Sequence, residues 1–208
     1  MIELIQSGGL LMIPLGLCAL LATFIIIERA FYYARIKKKD DLFLDRLLSL
    51  ISSCRFEEAL SWCNSVKTPA AQVAAKAVLL RHMPEHDVRE LVEVELDKQL
   101  PRLDRFLTAL GTIANVSTLL GLLGTVTGNI QAFGVLGGGQ SMGNPALLAG
   151  SISEALITTA AGLCISIPAV IFHNYFVSIV RKRIATMEAI ASSVVIQVCG
   201  RNLVGKGL

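Results

Sequence analysis

Two stretches decide the reading of this chain: FLTALGTIANVSTLLGLLGTVTGNIQAFGVL, Phe106–Leu136, and GSISEALITTAAGLCISIPAVIFHNYFVSIV, Gly150–Val180. From Phe106 to Val180 the sole formally charged residue is Glu154. A water-soluble fold must present charged and polar faces to solvent, and these 75 residues have almost no charge to present. Each run holds 31 residues. At about 1.5 Å per residue either exceeds the roughly 30 Å hydrocarbon core of a bilayer. Both are therefore read as transmembrane helices, over 106–136 and 150–180. Residues 137–149, rich in glycine, with Pro145 and no charge, form the loop between them.

Working outward, a further apolar run extends from Gly8 to Ile27. Glu28 and Arg29 follow it, then Phe31, Tyr32 and Tyr33, then Arg35 and Lys37–Lys39. Aromatics followed by a basic cluster mark a cytoplasmic interface. Residues 1–34 are thus an N-terminal segment and first transmembrane helix, with the N-terminus outside. The opening MIELIQSGG has an acid and no base, unlike a secretory signal peptide, so the span is expected to be retained. Residues 35–105 read as a cytoplasmic helical domain. Its apolar positions Leu44, Leu47, Leu48 and Ile51, and later Leu91, Val94 and Leu96, fall at helical spacing. Pro69 and Pro84 sit near helix starts, and Ser52, Ser53, Asn64 and Ser65 mark turns. The helix of the second span is expected to continue the charged helix before it. Residues 181–208, opening on Arg181–Arg183, form a cytoplasmic tail. The fold class is an all-α membrane protein, with three transmembrane helices and a helical cytoplasmic insert between the first and second.

The whole chain agrees with its parts. Of 208 residues, 53% are hydrophobic and 17% charged, where soluble domains carry about 25% charged. The mean hydropathy is +0.63. A disordered chain, a secreted disulfide scaffold and a typical soluble enzyme are excluded. The net charge of +3 is small for a nucleic-acid binder and reads as a topology signal. Five cysteines have no metal-type spacing, and no cofactor motif stands out. HMPEH, His82–His86, fits a zinc pattern, but Pro84 interrupts the helical turn both histidines need. GRNLVGKG, Gly200–Gly207, is one residue short of a phosphate loop and lacks its hydroxyl residue.

Both later spans carry a small and polar stripe. Helical steps of 100° bring Gly111, Ala114, Thr118, Gly121, Thr125, Asn129 and Ala132 to one side of the second. On the third the stripe is Ala155, Thr159, Gly162, Ser166, Ala169 and His173. Small residues let membrane helices approach, and hydroxyls bond between them. The same hydroxyls, on Thr125 and Thr159 above all, would also line a wet path. Glu154 has two readings: an intramembrane acid is a functional candidate, and an acid at a helix start favours the helix dipole. His173 reads as an interfacial anchor or a titrating group.

LPRLDRFLTALGTIANVSTLLGLLGTVTGNIQAF, Leu100 to Phe133, and GSISEALITTAAGLCISIPAVIFHNYF, Gly150 to Phe176, resemble the proton-channel family of ExbB, TolQ and MotA, most closely its ExbB/TolQ branch. A four-span MotA subunit would be longer. Where the family often has proline this chain has Thr118, and where tryptophan is common it has Thr127. The resemblance implies a pentamer in the bacterial inner membrane, N-terminus periplasmic and C-terminus cytoplasmic. It implies a partner similar to ExbD or TolR, a single-span protein bringing a membrane aspartate, and a TonB-like or other envelope protein beyond it. By the same resemblance Thr125 and Thr159 match pore threonines, and Glu154 matches a third-span glutamate. The function so implied is a proton-channel and stator subunit, not an enzyme, with no cofactor. It would turn proton motive force into mechanical work on an envelope or outer-membrane transport system. A membrane scaffold, or a flagellar or gliding-type stator with another energised partner, is the alternative.

Overall fold

The computed structural model describes residues 9–66, 68–137 and 145–204; the ends of the N-terminal segment, the GRNLVGKG stretch and most of the 137–149 loop lie partly outside them. Among the described residues the regular elements are all α-helices: α1 (Met12–Ser52), α2 (Phe56–Ser65), α3 (Pro69–Leu79), α4 (Glu85–Leu103), α5 (Leu107–Gly137) and α6 (Pro145–Val204). Three are long and apolar enough to cross a membrane, over Met12–Ile36, Leu107–Gly134 and Leu148–Ile196. The chain divides into two compact units: Met1–Glu28 with Phe106–Phe176, and Arg29–Arg105 with Val177–Leu208.

The first unit contains the start of α1, α5 and α6 up to Phe176. Many of its large apolar side chains face outward, among them Leu20, Phe24, Leu119, Ile130, Leu156 and Ile171. In water that surface would be a liability; against lipid or a neighbouring copy it is matched. α6 starts at Pro145, five residues before the expected span. It runs unbroken through Pro168 and past the basic triplet to Val204. The charge boundary at Val180 is therefore not a helix boundary. At 60 residues and about 1.5 Å per residue, α6 is roughly three times as long as a bilayer core is thick.

The second unit is a helical cluster with its own core. Phe43, Leu47 and Ile51 on α1 are buried at four-residue steps. α2 packs on α3, and α3 on α4. α3 begins at a Thr68 N-cap whose hydroxyl accepts from the Ala71 N–H, with Pro69 in the first turn. Its alanines let neighbours come close: Ala70, Ala71, Ala74 and Ala77 are all buried. Pro84 caps α4, so His82 precedes the helix that holds His86 and the HMPEH histidines share no turn. On α4 the buried face is Val88, Val92, Leu96, Gln99 and Leu103. Val94 is 47% exposed, so the expected Leu91–Val94–Leu96 face is displaced by the 3.6-residue period.

The second span does not continue α4. The chain breaks over 104–106, and Phe106 takes a left-handed φ of 64°. Continuing a helix would bond the carbonyls of Arg102 and Leu103 to the N–H groups four residues on. Side chains from α1 take that role instead. The Tyr33 hydroxyl donates to the Leu103 oxygen at 2.8 Å, and the Arg29 guanidinium lies 3.4 Å from the Arg102 oxygen. Cations and hydroxyls at a helix C-terminus satisfy its last carbonyls. Arg29 and Tyr33, read from sequence as topology markers, are buried caps.

Cys63 sits in this core, and burial pushes its thiol up to about 12. Cys54 is exposed. A maleimide at about neutral pH is expected to label Cys54 while Cys63 stays unreactive until the unit opens, with roughly a thousandfold less thiolate than an ordinary thiol. Mass spectrometry of the labelled chain checks this.

Candidate functional site

The two stripes meet each other. Gly121 and Gly162 place α5 and α6 backbone to backbone: a Cβ on Gly162 would stand 2.6 Å from the Ser117 carbonyl oxygen and 3.0 Å from the Gly121 Cα. At this crossing the Thr159 hydroxyl donates to the Gly121 carbonyl at 2.7 Å. Further along the seam the Thr118 and Ser166 hydroxyls stand 2.7 Å apart. Beyond them, His173 packs on Gly111 and its Nδ1 lies 3.0 Å from the Leu107 carbonyl oxygen. A carbonyl can only accept, so the ring donates from Nδ1. Ala114, Ser117, Ala155, Thr158 and Ala169 fill the seam and are buried. Thr118, Gly121, Thr159, Gly162 and Ser166 are thus brought together within one chain, as close packing of small residues requires.

Thr125 and Asn129 are not. The Thr125 hydroxyl bonds back to the Leu122 carbonyl of its own helix at 2.7 Å, and the residue is half-buried. Asn129 is exposed. Together they leave a polar edge on α5 among the exposed Leu122, Val126 and Ile130.

Glu154 faces elsewhere again. It is half-buried and lines a cavity of about 250 Å³ that neither Thr125 nor Thr159 reaches. The wall comprises Leu10 and Leu11 before α1, Gly124, Thr127, Gly128 and Gln131 on α5, and Glu154 and Thr158 on α6. Gly9, at a left-handed φ of 66° that favours glycine, brings the turn into α1 against the Glu154 carboxylate. Sequence reading missed Thr127, Gln131 and Thr158. The spacing Glu154–Thr158 and Thr127–Gln131, i to i+4 on each helix, was the available signal. Among the described residues no group of histidine, cysteine and carboxylate side chains gathers as a metal site.

The arrangement offers two polar surfaces in an apolar unit, a hydroxyl edge and a carboxylate-lined cavity. Comparison with known proteins agrees in kind. The model of the MotA/TolQ/ExbB proton channel family matches residues 65–189. An ExbB-like biopolymer transport protein of Synechocystis sp. is 32% identical over 184 residues, 88% of this chain and 88% of its own length. The biopolymer transport protein exbB1 of Vibrio cholerae is 29% identical over 171 residues, 81% of this chain and 75% of its own. The biopolymer transport protein ExbB of Neisseria gonorrhoeae is 34% identical over 119 residues, 57% of this chain and 52% of its own. With more than half its length matched, and three apolar helices of spanning length, the chain belongs to the MotA/TolQ/ExbB proton channel family.

Proposed function

We propose that this chain is the proton-channel and stator subunit of a motor in the bacterial cytoplasmic membrane. Five copies surround the single spans of an ExbD- or TolR-like partner, with the N-terminus periplasmic and the C-terminus cytoplasmic. A proton reaches the partner's membrane aspartate along the threonine edge. Neutralising that buried charge changes how the partner helix fits the wall, and the motion works on an envelope or outer-membrane transport system. About 2.3 kcal/mol per charge is available per 100 mV of membrane potential. The observation that carries this reading is the polar edge of Thr125 and Asn129, left open on an otherwise apolar exposed face. Thr159, half-buried where α5 and α6 cross, is the second hydroxyl of the path.

The test is proton flux through the chain reconstituted with its partner. In Thr125→Val the hydroxyl lost bonds only to its own helix, so packing survives and flux is expected to fall about tenfold, equivalent to ~1.4 kcal/mol on the barrier. Thr159→Val also removes the bond to Gly121, so its flux loss comes with weaker assembly. Full flux in Thr125→Val overturns the assignment. It favours instead a scaffold, a reading supported by the Thr159–Gly121 and Thr118–Ser166 bonds that commit hydroxyls to the seam.

A further inference from the structure

We propose that Asn115 is a water-holding station on the exposed edge of α5, through which the proton leaves toward the cytoplasm. The exit role rests on the channel reading above; that the residue faces water does not.

Depth and hydrogen bonding argue for water. Asn115 is exposed. It lies eight residues after Leu107 in the apolar stretch Leu107–Gly134, about 12 Å along the helix axis. The hydroxyls on either side of it are satisfied within the chain. Thr112 donates to the Thr108 carbonyl at 2.9 Å. The Thr118 hydroxyl has the Ala114 carbonyl at 3.2 Å and the Ser166 hydroxyl at 2.7 Å. The Asn115 amide makes no hydrogen bond to any described residue. A primary amide brings two donors and an acceptor, and hydrocarbon answers none of them. This side of α5 is therefore not a lipid face.

Position argues for the exit. Asn115 stands about 40° from Asn129 by the helical step, on the same side of α5. Thr108, Asn115, Leu122 and Asn129 recur at seven-residue intervals, and such a row drifts only ~20° per repeat. The edge thus has a polar section at Thr108 and Asn115, another at Thr125 and Asn129, and between them Leu122, apolar and 58% exposed. An apolar constriction sheds water, so a proton passes Leu122 on the partner's carboxyl and not along a water column. On the Leu107 side the carboxyl gives its proton to the water at Asn115 and is left as carboxylate, and the proton departs as hydronium. The amide neither gains nor loses a proton; it holds the water.

Two measurements on the full chain, reconstituted with its partner, test the station. In the first, the five native cysteines are replaced, and Asn115→Cys is compared with Val116→Cys, one helical step further round at the same depth. Silver ion travels in water, and a thiol must ionise to bind it, which lipid opposes. The Asn115→Cys thiol is expected to react about a hundredfold faster than the Val116→Cys thiol. Equal rates, or an unreactive Asn115→Cys, overturn the proposal. The second keeps the native cysteines. Asn115→Leu, which breaks no bond to a described residue, should cut proton flux about tenfold with the subunit count unchanged, while Asn115→Gln, which keeps the amide, should retain it. Full flux in Asn115→Leu, with or without a higher melting temperature, overturns the station. So does loss of subunits from that variant in native mass spectrometry, which assigns the amide to a neighbouring copy. The outcomes separate from the channel test. Impaired Thr125→Val flux alongside full Asn115→Leu flux sinks this station alone. A silver-reactive Asn115→Cys in a complex whose parent passes no protons sinks the channel reading and leaves the water-facing side of α5 standing.

Discussion

Gly162→Leu is expected to destabilise the folded membrane unit severely, and Gly162→Ala to weaken it measurably. The first added carbon already lies 2.6 Å from the Ser117 carbonyl oxygen and 3.0 Å from the Gly121 Cα, both backbone atoms with no rotamer to yield. The helices must part. Parting them stretches the Thr159–Gly121 bond and the Thr118–Ser166 contact, both at 2.7 Å. Overpacking costs about 1–3 kcal/mol, and each interhelical bond in a membrane adds roughly 0.6–1.7, so the leucine variant loses on the order of 3–5 kcal/mol. A single domain has ~5–15 to lose. Gly16→Ala is the control: nothing lies within 4 Å of its added carbon, and alanine in a helix is slightly stabilising. Thermal unfolding in detergent should place Gly162→Leu far below the parent and Gly16→Ala at or just above it. A parent-like midpoint for the leucine variant would refute the seam.

The seam shows why part of this site was legible beforehand. Helical steps alone put Gly121 and Thr118 on one stripe and Thr159, Gly162 and Ser166 on another, because a 3.6-residue period is set by the backbone. What two stripes do with each other is not periodic information. Packing against one another and lining a common path leave the same residues on the same faces. The hydroxyl directions separate them: Thr159 bonds across the seam while Thr125 bonds back to Leu122. Glu154 was visible as a lone charge, but its surroundings depend on Gly9, more than 140 residues away in sequence, and on Thr127 and Gln131 of another helix.

The break before α5 was hidden for a related reason. Nothing in DRF, Asp104–Phe106, ends a helix by composition. The carbonyls at the end of α4 are taken by Arg29 and Tyr33, about 70 residues earlier, whose identities fit an interfacial belt equally well. Residues of charge and aromaticity carry topology in one reading and capping in the other, and only the tertiary contact decides. Arg183, in the basic triplet after the third span, has the same double use, which leads to the second large effect.

Asp40→Ala is expected to open the helical insert. Arg183 of the basic triplet reaches Asp40 on α1 at 3.2 Å, with side chains 17% and 6% exposed. Around them lie Ile36, Leu103 and Met187. Removing the carboxylate leaves a guanidinium among apolar neighbours, and breaking a buried pair from one side costs about 3–5 kcal/mol. Asp40→Leu combined with Arg183→Met should recover most of the loss, because an apolar pair of similar volume forgoes the desolvation of both ions. The readout is local as well as global: Cys63, buried in this unit, should react with maleimide in Asp40→Ala at temperatures where the parent and the double variant stay protected. If Asp40→Ala keeps the parent's midpoint and Cys63 protection, the ion pair is a surface contact in effect. If the double variant is as weak as the single one, the pair's hydrogen bond, and not the stranded charge, is what the fold needs.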